Sequence, residues 1–308
     1  MLLRPPTSEA RVDNPCYRPH MATTPASLLR GWLNGRVEPA ALDWLDGRLA
    51  AARGGDVKAL YLAFGLVPRR TGKSDLALPK AELLKAQDVR AGWDPAGWTV
   101  DHAARSLLVL SLPANDRARY LETLDKLFHA GEVGELVALY QALPLLPHQE
   151  AHVPRAAEGL RTNIKPVFAA IAHRNPYPAE RFDEAQWNQM ILKSLFIELP
   201  LAPIVGLDER VNEQLMRMLC DYAHERWAAG RSVSPELWRC VGPVADMKAL
   251  DDLARVLKGG TEPERQAAAL ALASCERAEG RVLLDEHPHV AAAVRSGQVT
   301  WSTLSATA

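Results

Sequence analysis

The sequence predicts an all-α protein, built either as an irregular α-solenoid or as a globular array of antiparallel, HEAT-like helix pairs. Apolar residues recur at helical spacing along most of the chain, as in Leu42, Leu45 and Leu49. Glycines and prolines divide the chain into segments of helix length, and no segment shows strand alternation or a hairpin turn. The alanine-rich segment ERQAAALALAS, residues 264–274, is typical of a HEAT-like helix.

Turn and cap residues set the first helices of the N-terminal helical region, residues 25–147. Pro39 opens a helix at a first-turn position, where its missing N–H is not needed. Gly54 ends that helix, and Asp56 is placed to cap the next one. Pro68 is expected to end this third helix.

Later helices are predicted from composition as well as from caps. Residues 101–112 are apolar and begin with alanines, which favours a buried helix over a strand. Asn115 is expected to cap the helix that follows. Further along, residues 153–172 are expected to form one helix, and the segment from Thr261 to Glu264 starts another.

The chain divides into three predicted regions. Residues 1–24 are polar and proline-rich and are expected to be a disordered extension without a secretory signal. A proline-rich joint at residues 143–154 is either a domain boundary or a long loop between helices. The C-terminal helical region is predicted over residues 153–300.

Composition excludes several classes of function. The 308 residues carry a net charge of -1, so the basic surface of a nucleic-acid-binding protein is not expected. No apolar run is long enough to cross a bilayer. The four cysteines include no C-x-x-C pair, which favours reduced thiols and a cytoplasmic location.

Residues 173–243, which we call the signature stretch, combine polar side chains with aromatic residues more densely than the rest of the chain. Its segments read NPYPAERFDE, WNQMILKSLFIELPL, GLDER, DYAHERWAAGR and VSPELWRCVGP. In this order they closely resemble the EboA-domain family, bacterial proteins encoded beside a prenyltransferase and sugar- or cyclitol-type enzymes. The resemblance implies a role in making or exporting a prenylated or cyclitol-like secondary metabolite. It implies as partners a small-molecule metabolite or pathway enzymes encoded nearby, and it brings no assigned reaction and no cofactor.

Within the signature stretch, residues 208–229 are expected to form an amphipathic helix with Asp208 as its N-cap. The predicted apolar face comprises Val211, Leu215, Met218 and Tyr222. The predicted polar face comprises Arg210, Gln214, Arg217, Asp221 and His224. This polar face is either a solvated row of ion pairs or one wall of a cleft, in which Asp221 orients His224 as a general base.

Residues 184–198 are expected to form a mostly buried helix that Asn188, Gln189 and Lys193 interrupt with polar groups. Lys193 either reaches solvent along its aliphatic stem or binds an anionic group. Asp208 and Asp221 are its candidate carboxylate partners within the protein.

The loop that opens the signature stretch is stiffened by two prolines around Tyr177. It either holds His173, Asn175 and Tyr177 toward a ligand or plugs the core. Trp238 either stacks over that site or covers the core.

Three hypotheses for function follow: a binding protein for a metabolite or partner enzyme, an enzyme acting on that metabolite, or a pure interaction scaffold. The candidate catalytic residues are His224, Asp221 and Lys193. The candidate substrate-binding residues are His173, Asn175, Tyr177, Asn188, Asp208, Arg210 and Trp238.

Metal and nucleotide motifs are incomplete, so the sequence predicts no metal site. His148 and His152 are four residues apart but lack an obvious third ligand. The Gly72-Lys73-Ser74 segment is similar to the end of a P-loop, but Val67 stands where the first glycine belongs.

Overall fold

The structure, a computed structural model, describes residues 23–305. Within this range every regular element is a helix, and the only bridge between extended segments joins Asp75 to Thr99. The prediction of an all-α protein is therefore confirmed. Most of the extension predicted over residues 1–24 lies outside the described residues.

The α-helices, numbered in chain order, have the following bounds. They are α1 (Pro25–Leu33), α2 (Pro39–Arg53), α3 (Val57–Thr71), α4 (Lys80–Val89), α5 (Val100–Leu110), α6 (Arg117–Ala130), α7 (Val133–Ala142), α8 (Val153–Gly159), α9 (Lys165–Ala172), α10 (Tyr177–Arg181), α11 (Glu184–Phe196), α12 (Glu213–Ala228), α13 (Met247–Gly259), α14 (Glu262–Ala273), α15 (Ala278–Asp285), α16 (Pro288–Arg295) and α17 (Trp301–Ser305). Short 3₁₀ helices occupy the joint, at Leu143–Leu145 and Gln149–His152, and follow α12 at Pro235–Cys240 and Gly242–Val244.

Side-chain caps explain where several helices begin. Asp56 caps α3, as predicted, because its Oδ1 accepts a hydrogen bond from the Ala59 N–H at 2.9 Å. Thr261 and Glu264 form a reciprocal capping box at the start of α14. Each cap satisfies backbone N–H groups that a helix start leaves unpaired, and contributes about 1 kcal/mol.

The prediction that Pro68 ends the third helix is wrong, because α3 continues through it to Thr71. A proline has no N–H to donate to the carbonyl four residues earlier, which here belongs to Phe64. Arg105 of α5 donates to that carbonyl instead, with its Nε 3.1 Å from the Phe64 oxygen. A buried side chain from another helix thus replaces the hydrogen bond that the proline removes.

Two further boundaries differ from the predictions. Asp116, not Asn115, caps α6, since its Oδ1 accepts from the Arg119 N–H at 3.1 Å. The helix predicted over residues 153–172 is split into α8 and α9. Pro166 lies in the first turn of α9, where its missing N–H is not needed, whereas inside one continuous helix it would remove a hydrogen bond.

Asp208 is not the N-cap of the helix predicted over residues 208–229. The helix begins at Glu213, and Asn212 caps it by accepting the Leu215 N–H at 2.8 Å. Asn212 has the extended backbone and the short amide that favour this position. The chain around Asp208 instead forms a turn after Gly206, whose φ is 78°.

Two helices lie at the centre of the packing. Helix α5 contacts α1, α3 and α7, and its residues from Val100 to Val109 are almost all buried, which confirms the predicted buried helix. Helix α14 contacts α13, α15, α16 and the 3₁₀ helix Pro235–Cys240. Its buried alanines allow these neighbours to approach closely. Helices α11 and α12 pack side by side and carry the three candidate catalytic residues, Lys193 on α11 and Asp221 and His224 on α12.

Candidate functional site

Asn175 and Tyr177 are buried, and the protein itself uses their polar groups. The Asn175 Nδ2 donates to the carbonyl oxygens of Tyr140 and Ala170, at 3.1 and 3.0 Å, and its Oδ1 accepts the Tyr177 N–H at 3.0 Å. The Tyr177 hydroxyl donates to the carbonyl of Gln149. Burial raises the pKa of Tyr177, so the hydroxyl remains protonated at neutral pH. This geometry fits the interpretation of the loop as a plug in the core.

His173 lies just after α9 and is also engaged internally. Its Nε2 lies 2.9 Å from the carbonyl oxygen of Pro200. Because a carbonyl only accepts, this nitrogen carries the ring proton. Burial lowers the pKa of His173, which favours the neutral ring with its one proton on Nε2.

Asn188 and Arg210 connect α11 to the segment before α12. Asn188 and Asn212 exchange two amide hydrogen bonds, at 3.1 and 2.9 Å. Arg210 lies over the ring of Trp187, with its guanidinium carbon 4.7 Å from the ring centroid. Its Nη1 also donates to two backbone carbonyls of α10. Both side chains therefore hold helices together.

Asp208 and Trp238 also have partners within the protein. Asp208 forms a two-pronged ion pair with Arg239, with nitrogen–oxygen distances of 2.7 and 2.6 Å. Trp238 is fully buried and stacks on Trp227 at a centroid distance of 5.9 Å. Trp238 thus covers the core, which was one of its two predicted positions.

The polar face predicted on α12 is exposed at Gln214, Arg217, Asp221 and His224. His224 turns toward α13, where its Nε2 lies 2.6 Å from the Asp252 Oδ1. The carboxylate that orients His224 is therefore Asp252, which is distant in sequence. The predicted apolar face is displaced as well: the buried residues of α12 are Leu215, Met216, Leu219, Cys220 and Ala223.

Cys220 lies close to this histidine–carboxylate pair but does not have the properties of a nucleophile. Burial first, and then the charge of Asp252, raise the pKa of Cys220 to about 12. The side chain is therefore a neutral thiol at physiological pH, and the thiolate is the reactive form.

Lys193 has a different environment from the other candidates, because it lies where two surface clefts meet. One cleft, of about 660 Å³, lies between α11 and α12. The other, of about 480 Å³, lies between α11 and the helices α8 and α9. Gln189 and Lys193, one helical turn apart, line both. We call these two adjoining spaces the α11 cleft.

No ion pair involves Lys193 in residues 23–305, and its predicted partner Asp208 is bound to Arg239. Its Nζ lies 5.9 Å from the ring centroid of Phe168, a distance that allows a weak cation–π contact. Partial desolvation lowers the pKa of Lys193. An ammonium group without a carboxylate partner is therefore available at the junction of the two clefts.

The α11 cleft concentrates positive charge in a chain that is nearly neutral overall. Lys193, Arg226 and Arg231 line its first part, and Arg161 lines the second. Glu225 is the one carboxylate among the described residues that line it. Anions are favoured where cations outnumber carboxylates in this way.

The spacing on α12 separates this cleft from His224. The cleft is lined by Tyr222, Glu225, Arg226 and Ala229 at helical intervals of three and four residues. At about 100° per residue, Asp221 is about 90° from the middle of this stripe and His224 about 150°. The structure therefore does not bring the three candidate catalytic residues into one site.

Sequence reasoning identified Lys193 as a site residue and Gln189 only as a polar interruption of its helix, and it missed Glu225, Arg226 and Arg231. The spacing of Gln189 and Lys193 by four residues, and the stripe on α12, were available signals. Neither signal shows which neighbouring helix these residues will face, so the cleft could not be predicted from the sequence.

Metal-binding and membrane-spanning features are absent from the described range. No set of three histidine, cysteine, aspartate or glutamate side chains between residues 23 and 305 is arranged to hold a metal ion. In the same range, no helix has both the length and the apolar character required to span a bilayer.

Comparison with known proteins identifies the family. No curated protein and no solved structure matches the chain. The family model described as "Metabolite traffic protein EboA" matches residues 25–242, which include α1 to α12 and both parts of the α11 cleft. The family predicted from the signature stretch is confirmed over a much longer part of the chain, and the chain belongs to the EboA family of metabolite traffic proteins.

Proposed function

We propose that the protein binds a small metabolite in the α11 cleft and serves as a binding or carrier component of its pathway. The observation that carries this proposal is the junction of two clefts at Lys193, whose ammonium group has no carboxylate partner among residues 23–305. Volumes of about 660 and 480 Å³ lie in the range of small-molecule sites, roughly 300–1,000 Å³. The family description, which refers to metabolite traffic, supports the same function.

The pathway is proposed to make or export a prenylated or cyclitol-like secondary metabolite in the bacterial cytoplasm, as the family resemblance implies. Pathway enzymes encoded nearby are the proposed partners, since a carrier must receive its ligand and pass it on. A cleft at the surface, unlike an enclosed cavity, allows such loading and release without a large conformational change.

Binding is favoured over acid–base catalysis by the positions of the candidate residues. Catalysis requires the reacting groups to lie within hydrogen-bonding reach of one bound substrate. Lys193 lies in the α11 cleft, whereas His224 faces α13 and pairs with Asp252. A pure scaffold would not require the unpaired lysine in the cleft.

The test compares variants purified from the native host and analysed for retained small molecules by mass spectrometry. Gln189 is exposed and lines both parts of the cleft, so Gln189→Trp is expected to fill it without disturbing the core. Gln214→Trp is the matched control, because Gln214 is exposed in the first turn of α12 and lines neither part of the cleft.

We expect the wild-type protein and Gln214→Trp to retain the same small molecule and Gln189→Trp to lose it. All three proteins should melt at similar temperatures once the bound molecule has been removed, because a ligand stabilises the folded state that it binds. Absence of any retained molecule from the wild-type protein would contradict the proposed function. Equal retention by Gln189→Trp would place the site elsewhere.

A further inference from the structure

We infer that the α11 cleft recognises an amphiphilic anion, with a phosphate-type head group in its first part and an apolar body along the exposed side of α11. This inference rests on the proposed function and names the chemical class of the ligand.

The head-group site is assembled from three separate segments. Lys193 comes from α11, Arg226 from α12 and Arg231 from the turn after α12, and all three line the same space. Arg226 is held in place because its Nε donates to the carbonyl of Ser232 at 2.9 Å. This bond uses one edge of the guanidinium, and the Nη groups on the rest of the fork suit the oxygens of a phosphate or carboxylate.

The charge of the site indicates a head group with more than one negative charge. Lys193, Arg226 and Arg231 together with the single carboxylate of Glu225 leave a net of two positive charges. A phosphate monoester carries about -1.5 to -2 charges at neutral pH and therefore matches this surplus better than a carboxylate does. The carboxylate of Glu225 opposes anion binding. Its removal should therefore strengthen binding, whereas removal of a cation should weaken it.

The apolar body is inferred from the side chains that surround the cations. Phe196 lines the first part of the cleft and is 69% exposed, the highest value for a large apolar side chain in the described residues. Leu192 lines the same part, one helical turn before Phe196. Phe168 and Met190 form an apolar floor in the second part. A hydrocarbon chain that covers Phe196 would remove this apolar surface from water, which favours binding.

The experiment measures binding of monomeric decyl phosphate by calorimetry and compares it with decanol and with inorganic phosphate. The variants are Lys193→Gln, which removes a cation, and Glu225→Gln, which removes the opposing carboxylate. Both side chains are outside the core, so both variants are expected to fold normally. Gln214→Glu is the control for a charge change outside the cleft.

We expect decyl phosphate to bind with one molecule per chain and more tightly than either decanol or inorganic phosphate. Lys193→Gln should weaken this binding about tenfold, and Glu225→Gln should tighten it about threefold. Added salt should weaken decyl phosphate binding and leave decanol binding unchanged.

Equal binding of decyl phosphate and decanol, or no change in Lys193→Gln, would overturn the inference. It would leave the proposed function intact as long as Gln189→Trp still loses the retained metabolite. Binding to vesicles that contain phosphatidic acid, without binding of monomeric decyl phosphate, would also overturn the inference, because a lipid surface would then be the ligand.

Discussion

Replacement of Asn175 tests whether this residue holds the loop in place or contacts a ligand. Asn175 is 3% exposed, and its amide makes three hydrogen bonds to the backbone. In Asn175→Ala the Tyr177 N–H and the Ala170 carbonyl would lose their buried partner. The Tyr140 carbonyl would keep its hydrogen bond from the Leu143 N–H.

The expected loss of stability follows from these groups. A buried polar group left without a partner costs about 1–3 kcal/mol, so two such groups destabilise the protein by about 3 kcal/mol. At about 2 °C per kcal/mol for a chain of this size, the melting temperature should fall by about 6 °C. Asn175→Asp should destabilise more than Asn175→Ala, because a carboxylate oxygen would replace the donor that faces two carbonyl oxygens.

Urea unfolding followed by circular dichroism provides the measurement, with the free energy of unfolding read from the midpoint and slope. Gln189→Ala is the matched control, since this exposed amide in the α11 cleft should change stability by less than about 0.5 kcal/mol. If Asn175→Asp is as stable as the wild-type protein but no longer retains the metabolite, the assignment of Asn175 to the plug is refuted.

Three other predictions concern packing, buried charge and pH. Asp101→Asn should lower the free energy of unfolding by about 3 kcal/mol, because it removes the carboxylate 2.7 Å from the buried guanidinium of Arg105; an unchanged urea midpoint would contradict this. Gly242→Ala should prevent soluble folding, since a Cβ there would lie 2.2 Å from the backbone oxygen of Ala271. Recovery of a soluble helical protein would contradict this, because it would show that the 3₁₀ helix at Gly242 can move away from α14. Affinity for decyl phosphate should fall as the pH rises through the pKa of Lys193, because the ammonium loses its charge there; desolvation places this pKa below its ordinary value. The variant Lys193→Arg should keep its affinity over the same pH range, since a guanidinium stays charged. An identical decline in both proteins would exclude Lys193 as the cause.

Several elements could be predicted from the sequence because their causes are local. The cap at Asp56 and the capping box at Thr261 depend on residues three positions apart, so the local sequence contains all the information needed. The burial of α5 follows from a segment with too few polar side chains to face water. The segments of the signature stretch likewise indicated the family before the fold was known.

The positions of the candidate side chains depend on contacts between residues far apart in the chain. Helical periodicity indicates that α12 has a polar face, but only packing against α11 and α13 shows which cleft each residue faces. His224 hydrogen-bonds to Asp252, 28 positions away, and Asn175 hydrogen-bonds to the carbonyl of Tyr140, 35 positions away. Helical spacing relates residues only three or four positions apart, so it cannot select such partners.

The sequence by itself therefore determined the all-α class, many of the helix starts and the family, because caps, turns and apolar periodicity act over a few residues. The tertiary structure alone decided that Asn175, Asn188 and Asp208 satisfy groups of the protein. It also decided that Lys193 is left with Arg226 and Arg231 in an open cleft. The physical reason is that packing decides whether a polar side chain is hydrogen-bonded within the protein or remains free to bind a ligand. The neighbours that decide this come from other helices.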